Sequence, residues 1–153
     1  MVLSFIQASA EDIEPLYELN KQLILSYENV ENIDLDRVLS WVHNKLESCI
    51  GEYTVIRADG KKAGYYHFCR NEDGEMELDD LYVFPEFQNR GIGSDVIKRC
   101  CSSVWDPVIL YVFVRNQGAV SLYQRKGFKI VKTIKDSRYI MKWYPSEMEI
   151  SPL

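Results

Sequence analysis

The sequence predicts an α/β domain with a mixed, largely antiparallel central sheet and helices on both faces. Three observations carry this. Apolar residues recur at helical spacing early in the chain and switch to strand-like alternation in its middle. Two Asp-Gly pairs, Asp59-Gly60 and Asp73-Gly74, separate consecutive strand-like runs, a hairpin signature and hence a sign of antiparallel pairing. The nearly all-apolar run "PVILYVFV" (107–114), flanked by helix-like segments, suits a strand buried on both faces.

Element by element, "VLSFIQ" (2–7) alternates like a strand. Ser9 precedes Asp12 by three residues, a capping-box-like start for a helix carrying Ile13, Leu16, Tyr17, Leu23, Ile24 and Tyr27. Pro15 fits that helix only in its first turn. After the polar "ENVENID", Leu35, Val38, Leu39, Val42, Leu46 and Cys49 form the apolar stripe of a second helix. "EYTVIRA", "AGYYHFCR" and "MELDDLYVF" are three consecutive strands. A glycine-rich turn leads into a helix with Ile92, Val96, Ile97, Cys100 and Val104 inward. The buried strand follows, then a short helix within "NQGAVSLYQRKG" that ends at Gly127. "FKIVKTI" and "RYIMKWY" are the last strands. The order is β-α-α-β-β-β-α-β-α-β-β, and the strands either side of the glycine-turn helix should be parallel neighbours joined by a right-handed crossover.

The 153 residues suggest a single domain over residues 1–144, with an irregular C-terminal tail over 145–153. A net charge of −5 without a lysine- or arginine-rich block argues against a nucleic-acid partner and is compatible with a cationic substrate. No signal-peptide pattern opens the chain, and the longest apolar run is far too short for a bilayer, so no membrane partner is expected. Cys49, Cys69, Cys100 and Cys101 form no C-x-x-C, and His43 and His67 are the only histidines, so no metal site is expected. Reduced thiols in a cytoplasmic protein account for the cysteines.

The stretch "QNRGIGS" (88–94) raises the functional question. A helix N-terminus carries unpaired N–H groups and partial positive charge, and glycines let a phosphate approach them. Gly91 and Gly93 stand where this would work, with Ser94, Arg90 and Gln88 as further donors. A P-loop is excluded because the Lys-Ser/Thr pair is missing. A Rossmann fingerprint is excluded because Val96 stands where its third glycine belongs. A tight turn that binds nothing remains open on these residues alone.

The wider sequence resembles the GNAT (GCN5-related) N-acetyltransferases. "QNRGIG" matches the Q/R-x-x-G-x-G/A loop of that family, "VRNQGAVSLYQRKGF" is similar to its second signature, and "LDDLYVFPEFQNRGIG" resembles its fourth strand running into the loop. The element order is similar from about Leu3 to Trp143. The resemblance implies acetyl-CoA as cosubstrate, its pyrophosphate held by backbone N–H groups of Gln88, Asn89, Arg90, Gly91, Ile92, Gly93 and Ser94. It also implies that Leu81, Tyr82 and Val83 bond the pantetheine arm as an added strand would, that Asn116 contacts that arm, that Tyr123 points its phenol at the thioester sulfur, and that Glu77 sits where some members carry a carboxylate base.

Transfer of an acetyl group to an amine needs a base for the ammonium, a donor for the oxyanion and a proton for the leaving thiolate. Strand alternation places Glu75, Glu77 and Asp79 on one face and Asp80 on the other. Repulsion among the three should raise their proton affinity, which suits Glu77 or Asp79 as the base; solvated strand-edge charges are the alternative. An N–H near Val83 is the expected oxyanion donor. Tyr123, protonated at neutral pH, is the expected acid, with a core tyrosine as the alternative. The cysteines fall in no nucleophile–base arrangement, so direct attack is expected without an acyl-enzyme. His67 fits a satisfied structural histidine, His43 an unremarkable surface one, and Trp41, Trp105 and Trp143 packing residues.

Two readings follow: an N-acetyltransferase acting on a primary amine of a small molecule or peptide, or a non-catalytic acyl-CoA-binding sensor or interaction module. Tyr123 beside a strand carboxylate favours the enzyme. The apolar "RYIMKWY" suits a homodimer contact.

Overall fold

A computed structural model describes residues 1–146. Most of the tail expected to be irregular, residues 147–153, lies outside the described residues. The strands are β1 (Leu3–Gln7), β2 (Tyr53–Ala58), β3 (Lys61–Arg70), β4 (Met76–Val83), β5 (Val108–Phe113), β6 (Lys129–Ile134) and β7 (Arg138–Trp143). The helices are α1 (Ile13–Tyr27), α2 (Leu35–Cys49), α3 (Ile92–Ser102) and α4 (Gln117–Arg125). The strands form one sheet in the order β1-β2-β3-β4-β5-β7-β6. Among the described residues every neighbouring pair is antiparallel except β4 with β5.

Local chemistry accounts for the joints. Asp59 and Gly60 both take positive φ, 51° and 83°, as a two-residue hairpin turn requires. The Ser9 N–H donates to the Asp12 carboxylate at 3.0 Å, and Pro15 falls in the first turn of α1. α1 and α2 cover one sheet face, burying Leu16, Ile24, Val42 and Leu46 over Val55, Tyr65 and Tyr82. α3 and α4 cover the other, where Ile92, Val96, Ile97 and Tyr123 meet Leu78, Leu110 and Met141. β7 lies between β5 and β6 with Met141 fully buried, so its apolar run serves the sheet interior; the edge strand is β6, most of it exposed.

Two irregularities in β4 shape everything that follows. The pairing with β3 steps from His67↔Asp80 to Phe68↔Leu78, which leaves Asp79 as an extra residue on β4. Such a bulge reverses the alternation beyond it. Met76 and Leu78 pack on the α3 side, and so do Leu81 and Val83. Asp80, expected opposite Glu77 and Asp79, therefore shares their face, because the alternation counted along the sequence does not survive the bulge. The second irregularity is that β4 pairs with β5 only at Met76↔Val108 and Glu77↔Ile109. Beyond these the strands part, and the β5-facing edge of β4 has no strand partner among the described residues.

Candidate active site

A cavity of about 630 Å³ opens where β4 and β5 part. It is lined from both sheet faces: Leu23 of α1 and Trp41 of α2 on one side, Asn116, Ala119 and Tyr123 at and within α4 on the other. The gap thus connects the two faces of the sheet. Glu77, Asp79, Asp80, Leu81 and Tyr82 form its β4 wall.

The three carboxylates differ sharply in environment. Asp79 Oδ2 accepts from Lys45 Nζ and lies 2.8 Å from His67 Nδ1. Burial alone would raise the Asp79 carboxyl, but His67 and Lys45 outweigh it and hold it at about 2. The expectation that mutual repulsion raises Asp79 is corrected here: two cations keep it ionised, and it is a poor proton acceptor. Asp80 accepts from the Tyr53 hydroxyl and, at 3.1 Å, from the Tyr82 hydroxyl. Burial and then the neighbouring Asp79 charge push it up to about 6, within reach of a general base at neutral pH. Glu77 is raised as well, chiefly by burial, with an Asn71 Nδ2 bond of 3.1 Å to its Oε1 opposing the shift. Glu75, expected beside them, instead lies 3.7 Å from Lys142 Nζ.

His67 is buried and stacks on Tyr53 with centroids 4.4 Å apart. Burial disfavours its charge, yet its bond to Asp79, assisted by Cys69, raises it to about 10. Lys45 and His67 together pin Asp79 on the cavity wall, and the buried Nε2 of His67 has no hydrogen-bond partner among the described residues.

On the other wall, Tyr123 is buried edge-to-face against Phe128 at 5.7 Å. Its hydroxyl has no hydrogen-bond partner among the described residues, and burial followed by the Asp80 charge keeps it protonated. Asn116 caps α4, its side chain accepting from Ala119 N–H at 3.3 Å, so its amide nitrogen remains for a ligand.

The residues of the glycine turn do not line this cavity; they follow β4 and open α3. Gln88 Nε2 donates to the Val83 carbonyl at 2.9 Å, a bond that shapes the turn. Asn89 and Gly91 take positive φ, 62° and 81°. The first helical bond of α3 runs from Asp95 N–H to the Gly91 carbonyl at 3.0 Å, which leaves Ile92, Gly93 and Ser94 N–H as a crown of free donors. A Cβ at Gly91 would meet nothing within 4 Å, while one at Gly93 would come within 3.2 Å of Leu122 Cδ2, so α3 starts against α4. Ile92 is buried and offers only its backbone, and Arg90 lies 5.7 Å over the Phe87 ring. A donor crown, an unpaired strand edge and a free phenol in sequence fit a diphosphate, an amide-rich arm and a thioester.

The sequence reading missed Asp80, Lys45 and Tyr53. Consecutive aspartates in an interior strand were the available signal, since regular alternation would bury one of them against the core. Trp41 and Trp105, expected to pack, are 63% and 77% exposed, and Trp41 lines the cavity. His43 ties the helices together, 2.8 Å from Glu14 and 3.0 Å from Glu47.

The family model described as "Acetyltransferase (GNAT) family" matches residues 13–128. An uncharacterized N-acetyltransferase of Mycobacterium tuberculosis is 31% identical over 80 residues, 50% of this chain and 51% of that protein. The chain thus spans about half the length of the first curated relatives it matches. Acetyltransferase PseH of Campylobacter jejuni is 24% identical over 143 residues, covering 90% of this chain and 89% of that one. The crystal structure of a PaiA N-acetyltransferase from Thermoplasma acidophilum in complex with coenzyme A superposes with a TM-score of 0.69 at 23% identity, covering 95% of this chain and 100% of that one.

Proposed function

Because the chain belongs to the Acetyltransferase (GNAT) family, with acetyl-CoA as cosubstrate, we propose that it transfers the acetyl group to a primary amine by direct attack across the β4–β5 gap. The observation that carries this is the cavity that joins the two sheet faces, with Asp80 and Tyr123 both on its lining. Acetyl-CoA supplies an acetyl group already activated as a thioester. The crown at Ile92, Gly93 and Ser94 would hold its diphosphate, and the open edge of β4 from Leu81 to Val83 its pantetheine amides.

Asp80 takes a proton from the acceptor ammonium, and the freed amine attacks the thioester carbon. A backbone N–H on the open β4 edge donates to the carbonyl oxygen as negative charge develops there. The C–S bond breaks, Tyr123 gives its proton to the departing sulfur, and solvent restores both groups. Glu77 lies where the strands still pair, at the closed end of the gap, and serves as an auxiliary negative charge. Asp79 stays ionised and holds Lys45 and His67. A non-catalytic acyl-CoA module would have no use for a raised carboxylate and a free phenol on the lining of one cavity.

The test is a panel of primary amines with acetyl-CoA, following free thiol release. Turnover of at least one amine is expected, lowered by at least about 100-fold in Asp80→Asn. Tight acetyl-CoA binding with no turnover of any amine would favour the binding module.

A further inference from the structure

We propose that the acceptor is a primary amine carrying an anionic group, a carboxylate or a phosphate, about 10 Å from its nitrogen, and that Arg37 and Arg138 hold that group. This rests on the acetyl-transfer reading above and names its substrate class.

The cavity runs beyond the carboxylates to two arginines from different elements. Arg37 stands in the first turn of α2, eight residues before Lys45, which meets Asp79. At about 1.5 Å of rise per residue that is ~12 Å along the helix from the carboxylates. Arg138 opens β7 opposite Phe113, and β5 separates β7 from β4. Two strand spacings of about 4.8 Å, widened by the splay, put its backbone ~10 Å or more from the Asp80 strand.

Both side chains are exposed, and neither makes an ion pair among the described residues. The other cation on the cavity wall, Lys45, is committed to Asp79. Arg138 is held toward the cavity, its guanidinium 5.0 Å over the Phe113 ring. The turn before it is fastened to the end of α1, where Ser137 Oγ donates to the Glu28 carboxylate at 2.9 Å. Apart from Asn20, the rest of the wall contributed by α1 and α2 is apolar, with Leu23, Val38 and Trp41, and Phe113 of β5 adds a ring beside Arg138.

A negative pole, an apolar span and a positive pole select a ligand of the opposite sequence: ammonium, carbon spacer, anion. Two guanidinium forks from different elements suit a carboxylate or phosphate, which they can grip bidentately. A diamine of the same length would set its second ammonium against the arginines, so polyamines are disfavoured.

The experiment compares matched acceptors at saturating acetyl-CoA: triglycine against its C-terminal amide, 6-aminohexyl phosphate against 6-aminohexanol, and 1,6-diaminohexane. The anionic member of at least one pair should win by about 10-fold or more in kcat/KM, mainly through KM, and the diamine should be poorest. Preference in one pair alone identifies the anion as carboxylate or phosphate. In the Arg37→Gln, Arg138→Gln double variant the ratio should collapse toward one. Both positions are exposed, so the variant should keep the wild-type circular dichroism spectrum. Turnover without charge preference, or a preference that survives the double variant, overturns the arginine assignment and leaves acetyl transfer standing. No turnover of any of the five amines, with acetyl-CoA bound, overturns the anionic-amine assignment; only failure of the wider amine panel as well overturns acetyl transfer.

Discussion

The surface proposed to hold acetyl-CoA and the surface proposed to hold the acceptor are built on different principles. The first is made of backbone: the open edge of β4, the crown at the start of α3 beside the cavity and the capped start of α4. Its residues follow one another closely in sequence, and two glycines suffice to mark it. The second is made of side chains brought to one cavity from far apart in the chain: Arg37 and Trp41 from α2, Asp80 from β4 and Arg138 from β7. A site for an invariant ligand can be written in local backbone geometry, whereas a site for a particular acceptor is written in tertiary contacts.

The sharpest way to break this comparison is at Asp80, where the two sides meet. Asp80→Asn keeps the shape and removes the proton acceptor, and kcat should fall by about 10²–10⁴-fold. Wild-type activity should decline as pH falls through about 6, because a protonated Asp80 cannot take the amine proton. That limb should vanish in the Asn variant, measured with an acceptor of low amine pKa so that its own titration stays out of range. Asp79→Asn makes the contrast. Its carboxyl is held at about 2, so its stabilisation is present above the ordinary carboxylate pKa and is lost as pH falls toward 2. Removing it should cost about 2 kcal/mol at pH 7, seen by urea denaturation, with the gap from wild type closing in acid.

Tyr123→Phe should cost less, about 10²-fold in kcat, because a thiolate is a tolerable leaving group unaided. Acetyl-CoA affinity should barely change, since the ring still packs on Phe128 and the hydroxyl acts in the transition state. Wild-type kcat in the Phe variant would return Tyr123 to a core residue.

Much of the fold was legible because it is decided locally. Positive φ at Asp59 and Gly60 is what Asp-Gly in a short turn demands, and Gly127 at φ 95° closes α4 as a C-terminal glycine should. The all-apolar β5 and the glycine turn before α3 likewise carry their own signals. The bulge at Asp79 was not legible, because it is a property of the pairing with β3 rather than of β4 alone. One displaced residue therefore put Asp80 on the wrong face and hid the group best tuned as a base. The cations beside Asp79 come from α2 and β3, so repulsion among neighbours in sequence gave the wrong sign for it. Hydrophobic type also misplaced Trp41 and Trp105, since an exposed tryptophan looks the same in sequence as a buried one.

On the donor side, Gly91→Val should weaken acetyl-CoA binding by roughly 10–100-fold, the worth of one or two charge-assisted hydrogen bonds. A Cβ there meets nothing within 4 Å, but a φ of 81° strains any L-residue and a β-branched one most, so the turn itself must shift. That strain should also remove about 1–2 kcal/mol of stability. Calorimetric titration of a folded variant with unchanged affinity would take the crown out of the donor site.

The smallest effect expected is also the most selective. Trp41 is 63% exposed on α2 and lines the cavity between the carboxylates and Arg37. An exposed side chain contributes little to folding, so Trp41→Ala should change stability by no more than about 0.5 kcal/mol. An acceptor lying along the cavity would cover part of the indole, and losing a partly covered aromatic contact of about 1 kcal/mol corresponds to a several-fold rise in acceptor KM. Acetyl-CoA KM and kcat should stay near wild type, because the indole stands on the α1–α2 side of the sheet and Tyr123 on the other. Steady-state kinetics with each substrate varied in turn separates the outcomes. A rise confined to the acceptor KM sharpens the division between the two sides. An equal rise for both substrates would mean that the indole also bears on the thioester, and that the two sides overlap at α2.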